Sequence, residues 1–266
     1  MAVPDEEDFM LRRFTSSLPI CALGMICGWS LAKPATAAPP STAPGELVQI
    51  LDQIETASDA KDIETVLAVY GQSFATADGF TRAQFEQTLR DFWGQYSTLD
   101  YDIELVAWEP AAGGFTAETI TRITGTQARS ERELKLSAEV RSRQRFEGGQ
   151  IVYQEVLTER SQLTSGSNPP SLNVILPEQA APGAQYGFDA IVQEPLGNRS
   201  LLGAALDEGV TAEDFLTPRP LILENLSAGG LFKIGQATEQ PDNRWVSAVI
   251  VREDGMTVET RRLRID

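Results

Sequence analysis

Tyr153 and Glu155 lie two residues apart in Ile151 to Leu163, a stretch whose composition and alternation read as a strand. Their shared parity with Ile151 and Leu157 aims a carboxylate and a phenol at one face, a pair that supplies a base and an oxyanion donor without histidine. Burial would raise the carboxyl pKa toward general acid or base use. The competing reading is an ion pair at a sheet edge, and a single bulge would reverse the parity. A second set, Tyr70, Phe85, Phe92, Trp93 and Tyr96, either lines an apolar ligand cavity or packs a core. A third, Glu139, Arg141, Arg143 and Arg145, shares one strand face, where it either grips an anion or pairs across strands with Glu118, Arg122 or Glu159. The candidate ligand-binding residues are Tyr70, Trp93, Tyr96, Tyr153 and Glu155; no residue is singled out as catalytic.

Much other chemistry is excluded. The 266 residues contain no histidine, and the two cysteines, Cys21 and Cys27, fall in an N-terminal apolar stretch. The commonest proton shuttles and transition-metal ligands are therefore missing, and neither a metal site nor a cofactor is expected. Neither a phosphate-binding loop with lysine, nor a Gly-x-Ser-x-Gly elbow, nor a calcium loop appears. Asn198-Arg199-Ser200 and Asn225-Leu226-Ser227 match the glycosylation pattern. A formal charge of −16 disfavours nucleic acid and anionic lipid as partners.

Residues 1–37 read as an export signal. Arg12 and Arg13 precede an apolar run from Leu18 to Leu31, and Ala35-Thr36-Ala37 offers the small residues of a cleavage site. A retained signal anchor is the alternative, and the acidic start Asp5-Glu6-Glu7-Asp8 suggests initiation at Met10. The expected location is the bacterial periplasm or outside the cell, with no membrane attachment after cleavage.

Residues 38–45 then read as a flexible tether and 164–171 as a linker, because both are rich in proline and small polar residues. Between them, Leu47, Ile50, Leu51 and Ile54 mark one helix face, and Ile63, Val66, Leu67 and Tyr70 mark a second after a start signal at Ser58-Asp59. Thr81 and Gln84 form a capping-box pattern ahead of a third helix bearing Phe85, Leu89, Phe92, Trp93 and Tyr96. The period then changes to two. Strands are expected from Leu99, from Phe115, across Leu134 to Val140, and from Ile151 to Leu163. Beyond the linker, seven short strands are separated by turn signals such as Pro182-Gly183 and Asp254-Gly255.

Three helices followed by a long antiparallel meander, with Ile63-Glu64-Thr65-Val66 to Tyr70, Asp78-Gly79-Phe80 and Phe85 to Trp93, make residues 46–163 resemble the nuclear transport factor 2-like (SnoaL/ketosteroid-isomerase-like) superfamily. Residues 172–266 loosely resemble an immunoglobulin-like sandwich without its Cys…Trp…Cys signature. The expected fold class is α+β: a cone-shaped domain of three helices on a curved antiparallel sheet, followed by an all-β immunoglobulin-like sandwich. The resemblance implies a cavity used as an active site or a binding pocket, and a homodimer through the cone-domain sheet.

The expected function is an exported, non-enzymatic binding or adaptor protein whose cone domain takes a small apolar ligand or an envelope protein. The alternative is a lyase, isomerase or cyclase using carboxylate and tyrosine chemistry on a small apolar molecule. A further possibility puts the partner surface on the C-terminal part, at an exposed Trp245 or at Leu226 to Phe232.

Overall fold

The computed structural model describes residues 37–129, 132–195, 200–211, 221–226 and 229–266. The expected leader, the turn at 195–198, the Asn198 glycosylation pattern, a helical turn expected at Ala212 to Phe215 and residues 227–228 lie wholly or partly outside the described residues.

Helix α1 (Gly45–Asp59) buries Leu47, Ile50, Leu51 and Ile54, the stripe its sequence spacing predicts. Helix α2 (Ile63–Ala68) is capped by Asp62, whose carboxylate accepts from the Thr65 backbone N–H at 3.1 Å and the Thr65 hydroxyl at 2.6 Å. Asp59, expected near that cap, instead accepts a hydrogen bond from the Tyr101 N–H. Tyr70 ends the expected second helical stripe, yet it opens strand β1 (Tyr70–Thr76). Helix α3 (Arg82–Gln95) carries the capping box of Thr81 and Gln84. At its C-terminal end the Lys61 ammonium donates to the Trp93 and Tyr96 carbonyls at 3.3 and 2.5 Å.

Four long strands follow: β2 (Thr98–Ala111), β3 (Gly114–Arg129), β4 (Arg132–Glu147) and β5 (Gln150–Gly166). The C-terminal part contributes β6 (Leu172–Ile175), β7 (Gln179–Ala180), β8 (Gln185–Val192), β9 (Leu202–Gly209), β10 (Glu224–Asn225), β11 (Gly230–Gln236), β12 (Asp242–Arg252) and β13 (Gly255–Ile265).

These strands overturn the expected fold class. Strand accounts for 58% of the structure and helix for 18%, with three α-helices among the described residues. A cone of helices on its own sheet followed by a separate sandwich does not form. A ten-stranded sheet runs through both halves in the order β10-β9-β12-β13-β5-β4-β3-β2, with β1 also on β5 and β7 also on β13. The junction is β5, whose last segment, Arg160–Gly166, pairs antiparallel with Arg261–Gly255 of β13. Among the described residues a second sheet has three strands in the order β11-β8-β6.

Register assigns the two cores to opposite faces of the large sheet. Phe115, Phe146 and Ile151 share the inner face with the helices, where they pack with Leu47, Val66, Phe74 and Trp93. Val246, Ala248, Ile250, Leu263 and Ile265 point from the outer face into a core with Phe188 and Leu231 of the small sheet. The edge of β2 is closed by α1, since Glu55 and Asp59 accept from the N–H groups of Ile103 and Tyr101 at 2.8 and 2.7 Å. Residues 167–171 are fastened as well: Asn168 bonds Asp254 through its backbone N–H and its side chain, and the Arg252 guanidinium donates to the Asn168 carbonyl at 2.7 Å.

Candidate functional site

The inner face beside α3 holds the aromatic residues singled out from sequence. Tyr70 is buried with its ring centroid 4.8 Å from both Phe74 and Phe85. Trp93 is buried too, and its indole N–H donates to the Tyr101 hydroxyl at 2.8 Å. Burial pushes the Tyr101 phenol up to about 12 and drives Tyr70 upward as well, so neither ionises near neutrality. Tyr96 is half-buried, 4.9 Å from Phe92. These rings interlock as a core. Toward the middle of the sheet, however, Leu89 and Phe92 of α3 and Ile123, Leu136 and Val140 of the inner face remain half-buried. Further along the same face Thr119, Ser142 and Gln144 form a buried polar group, with Gln144 Nε2 donating to Ser142 Oγ at 2.6 Å and Thr119 Oγ1 at 3.0 Å.

Tyr153 and Glu155 lie on the other face. Ile151 pairs with Phe146, whereas Tyr153 pairs with Arg145 and Glu155 with Arg143, so a bulge between Ile151 and Tyr153 reverses parity. Tyr153 is 37% exposed, beneath an Arg145 guanidinium 5.9 Å from its ring centre. The structure thus brings Tyr70, Trp93 and Tyr96 together and separates Tyr153 and Glu155 from them.

On that outer face the charged residues of β4 pair across strands. Glu118 accepts from Arg141 Nε at 2.6 Å and lies 3.5 Å from Arg143, while Arg122 contacts Asp102, Glu104 and Glu139 at 2.9 to 3.2 Å. The Arg122 pairs are exposed on both sides and contribute on the order of 1 kcal/mol or less each, while Glu118 is itself only 15% exposed. Arg145 pairs with Glu147 at 3.1 Å, so Arg141, Arg143 and Arg145 each have a carboxylate partner.

Sequence reasoning missed a buried polar cluster on the inner face. Arg262, with a side chain 1% exposed, reaches Asp78 in the turn before α3 and lies 3.6 Å from Glu159. Asn243 donates to Asp78 at 2.8 Å, and the Trp245 indole donates to Glu159 at 2.9 Å. Trp245 is therefore half-buried rather than exposed. Asp78-Gly79 had signalled only a turn, and nothing local in the sequence couples it to a strand more than 160 residues away. Of the C-terminal candidate segment, Leu231 is buried and Phe232 is 51% exposed.

A cleft of about 410 Å³ opens where the edge of β5 passes from β1 to β13, lined by Asp78, Glu155, Asn243, Arg264 and Asp266 among others. Arg264 pairs with Asp266 at 2.7 Å and holds its carboxyl below the usual range, aided by Gln179. Among the described residues no group of His, Cys, Asp and Glu is arranged to hold a metal ion, and no helix is long and apolar enough to cross a membrane.

Residues 167–266 match a family described as a Domain of unknown function (DUF8623). No curated protein matches the chain. Several solved structures are similar to part of it. An NTF2-like protein of unknown function from Exiguobacterium sp. 255-15 is 17% identical, covering 42% of this chain and 95% of its own, with a TM-score of 0.32. Bd1075 of Bdellovibrio bacteriovorus is 12% identical over 42% of this chain and 38% of its own, with a TM-score of 0.30. An LEH-like epoxide hydrolase of M. tuberculosis is 15% identical over 42% of this chain and 80% of its own, with a TM-score of 0.29.

Proposed function

We propose that this chain is an exported, non-catalytic binding or adaptor protein, and that the inner face beside α3 takes a small apolar molecule or an apolar segment of another protein. The supporting observation is the row of half-buried apolar side chains, Leu89, Phe92, Ile123 and Leu136, that packs on the aromatic core, with the half-buried Val140 next on the same face of β4. In this reading Tyr70, Trp93 and Tyr96 are the back wall, and the buried Thr119, Ser142 and Gln144 group supplies local polarity. A non-catalytic role is favoured because the nearby ionisable groups are engaged. Tyr101 is bonded to Trp93, Asp59 to the β2 edge, and Glu159 to Trp245 and Arg262. The tyrosine and carboxylate pair that a lyase or isomerase would use, Tyr153 and Glu155, projects from the opposite face.

The test is a thermal-shift screen of lipophilic compounds on wild type and on Ala138→Phe, which fills the inner face between Ile123 and Val140. A ligand at about a hundredfold its Kd stabilises by about 2.7 kcal/mol, roughly 5 to 11 °C for a chain of this size. At least one compound is expected to shift wild type, and Ala138→Phe to lose that shift. A uniformly negative screen, with no envelope protein retained on immobilised wild type, would sink the proposal.

A further inference from the structure

We propose that Asp78, Arg262, Glu159 and Trp245 form an acid-strengthened latch between the turn before α3 and the β12–β13 hairpin, with Glu159 setting its strength. The geometry places two carboxylates on one guanidinium. Asp78 is the better served, since it is only 6% exposed and accepts from both Arg262 Nη2 and Asn243 Nδ2. Glu159 stands further from the same cation, at 3.6 Å, and its remaining contact is the neutral Trp245 indole. The charged groups facing Glu159 are Arg262 of β13 and Asp78 of the turn. The other elements packed against it present uncharged groups, Trp245 from β12 and Val140 from β4.

With both carboxylates ionised, the cluster carries one negative charge in excess, on a Glu159 side chain that is 22% exposed beside the buried Arg262 and Asp78. A proton on Glu159 removes that charge while leaving an oxygen to accept from Trp245 and leaving the Asp78 pair intact. Burial, the largest cause, raises the Glu159 pKa, and the Trp245 and Arg262 contacts oppose it without cancelling it. A raised folded pKa gives a contribution that is complete below the unfolded glutamate pKa and is lost as pH rises through the folded value. The latch therefore holds more tightly toward mild acid and loosens toward neutral and alkaline pH. Its span makes this more than local, because it joins residues 184 positions apart.

The experiment is a two-dimensional NMR titration of the tryptophan indole N–H groups on the full chain between about pH 4 and pH 8. The Trp245 resonance should move with a midpoint above the ordinary glutamate range, and Glu159→Gln should abolish the movement while leaving the Trp93 resonance in place. In parallel melts, Glu159→Gln should match or exceed wild type near neutrality, and its advantage should shrink toward mild acid. A Trp245 resonance that stays flat, or that still titrates in Glu159→Gln, overturns the proposal. So does a Glu159→Gln protein destabilised near neutrality as strongly as Arg262→Met.

Discussion

Ending the chain at Gly166 removes the partner of the β5 segment Arg160–Gly166, and the consequence can be estimated from the register. Seven cross-strand residue pairs with β13 are lost. At a net 0.5 to 1.5 kcal/mol per ladder hydrogen bond, and about one bond per pair, this amounts to roughly 3 to 10 kcal/mol. The same cut deprives Asp78 of Arg262 and Asn243, and Glu159 of Trp245 and Arg262. A typical domain is stable by only about 5 to 15 kcal/mol. The fragment 37–166 should therefore be unfolded or melt far below the full chain, despite containing all of the helix-bearing core. Circular dichroism melts of the fragment and of residues 37–266 decide the matter. A fragment that melts cooperatively at the full chain's temperature would refute the shared-sheet reasoning.

Other substitutions probe single contacts. Arg252→Ala removes a guanidinium with 0% side-chain exposure that bonds Asp254 and the Asn168 carbonyl, and should cost about 2 to 4 kcal/mol in urea unfolding. Trp93→Phe leaves the buried Tyr101 hydroxyl without its donor and should cost about 1 to 3 kcal/mol by the same measurement. In Gly114→Ala the new Cβ would lie 2.2 Å from the Phe146 carbonyl oxygen, so the β3–β4 hairpin must shift; the expected outcome is a clearly lowered melting temperature. Asn168 and Arg252 hold the Asp254 carboxyl below its usual range, and Ser171 does the same for Glu194. Their contribution is present above the unfolded pKa and is lost as pH falls through the folded values, so stability should drop below about pH 4, and less steeply in Arg252→Ala.

What could be read from the sequence was local. The capping box of Thr81 and Gln84, the α1 stripe and the alternation of β4 each depend on neighbours within a few residues, and all three appear in the structure. Glu118 and Arg122 were also nameable as partners for β4, because antiparallel neighbours in a meander face one another. Parity along β5 was not legible, since a one-residue bulge leaves no mark in the residue pattern, and it moved Tyr153 and Glu155 to the outer face. Partner choice was hidden for the same physical reason. Alternation in Met256 to Ile265 specifies a strand with two different faces, but not that its edge joins β5 rather than a sheet of its own. The Asp78 cluster depends on that junction, so no motif could announce it.

The most direct test of binding at the inner face is methyl NMR of isoleucine-, leucine- and valine-labelled protein, titrated with the apolar dye anilinonaphthalenesulfonate. Binding beside α3 predicts shifts at Leu89, Ile123, Leu136 and Val140, with Ile250 and Leu263 of the second core unmoved. Shifts confined to Ile175 and Ile234 on the small sheet, or none at saturating dye, would contradict it.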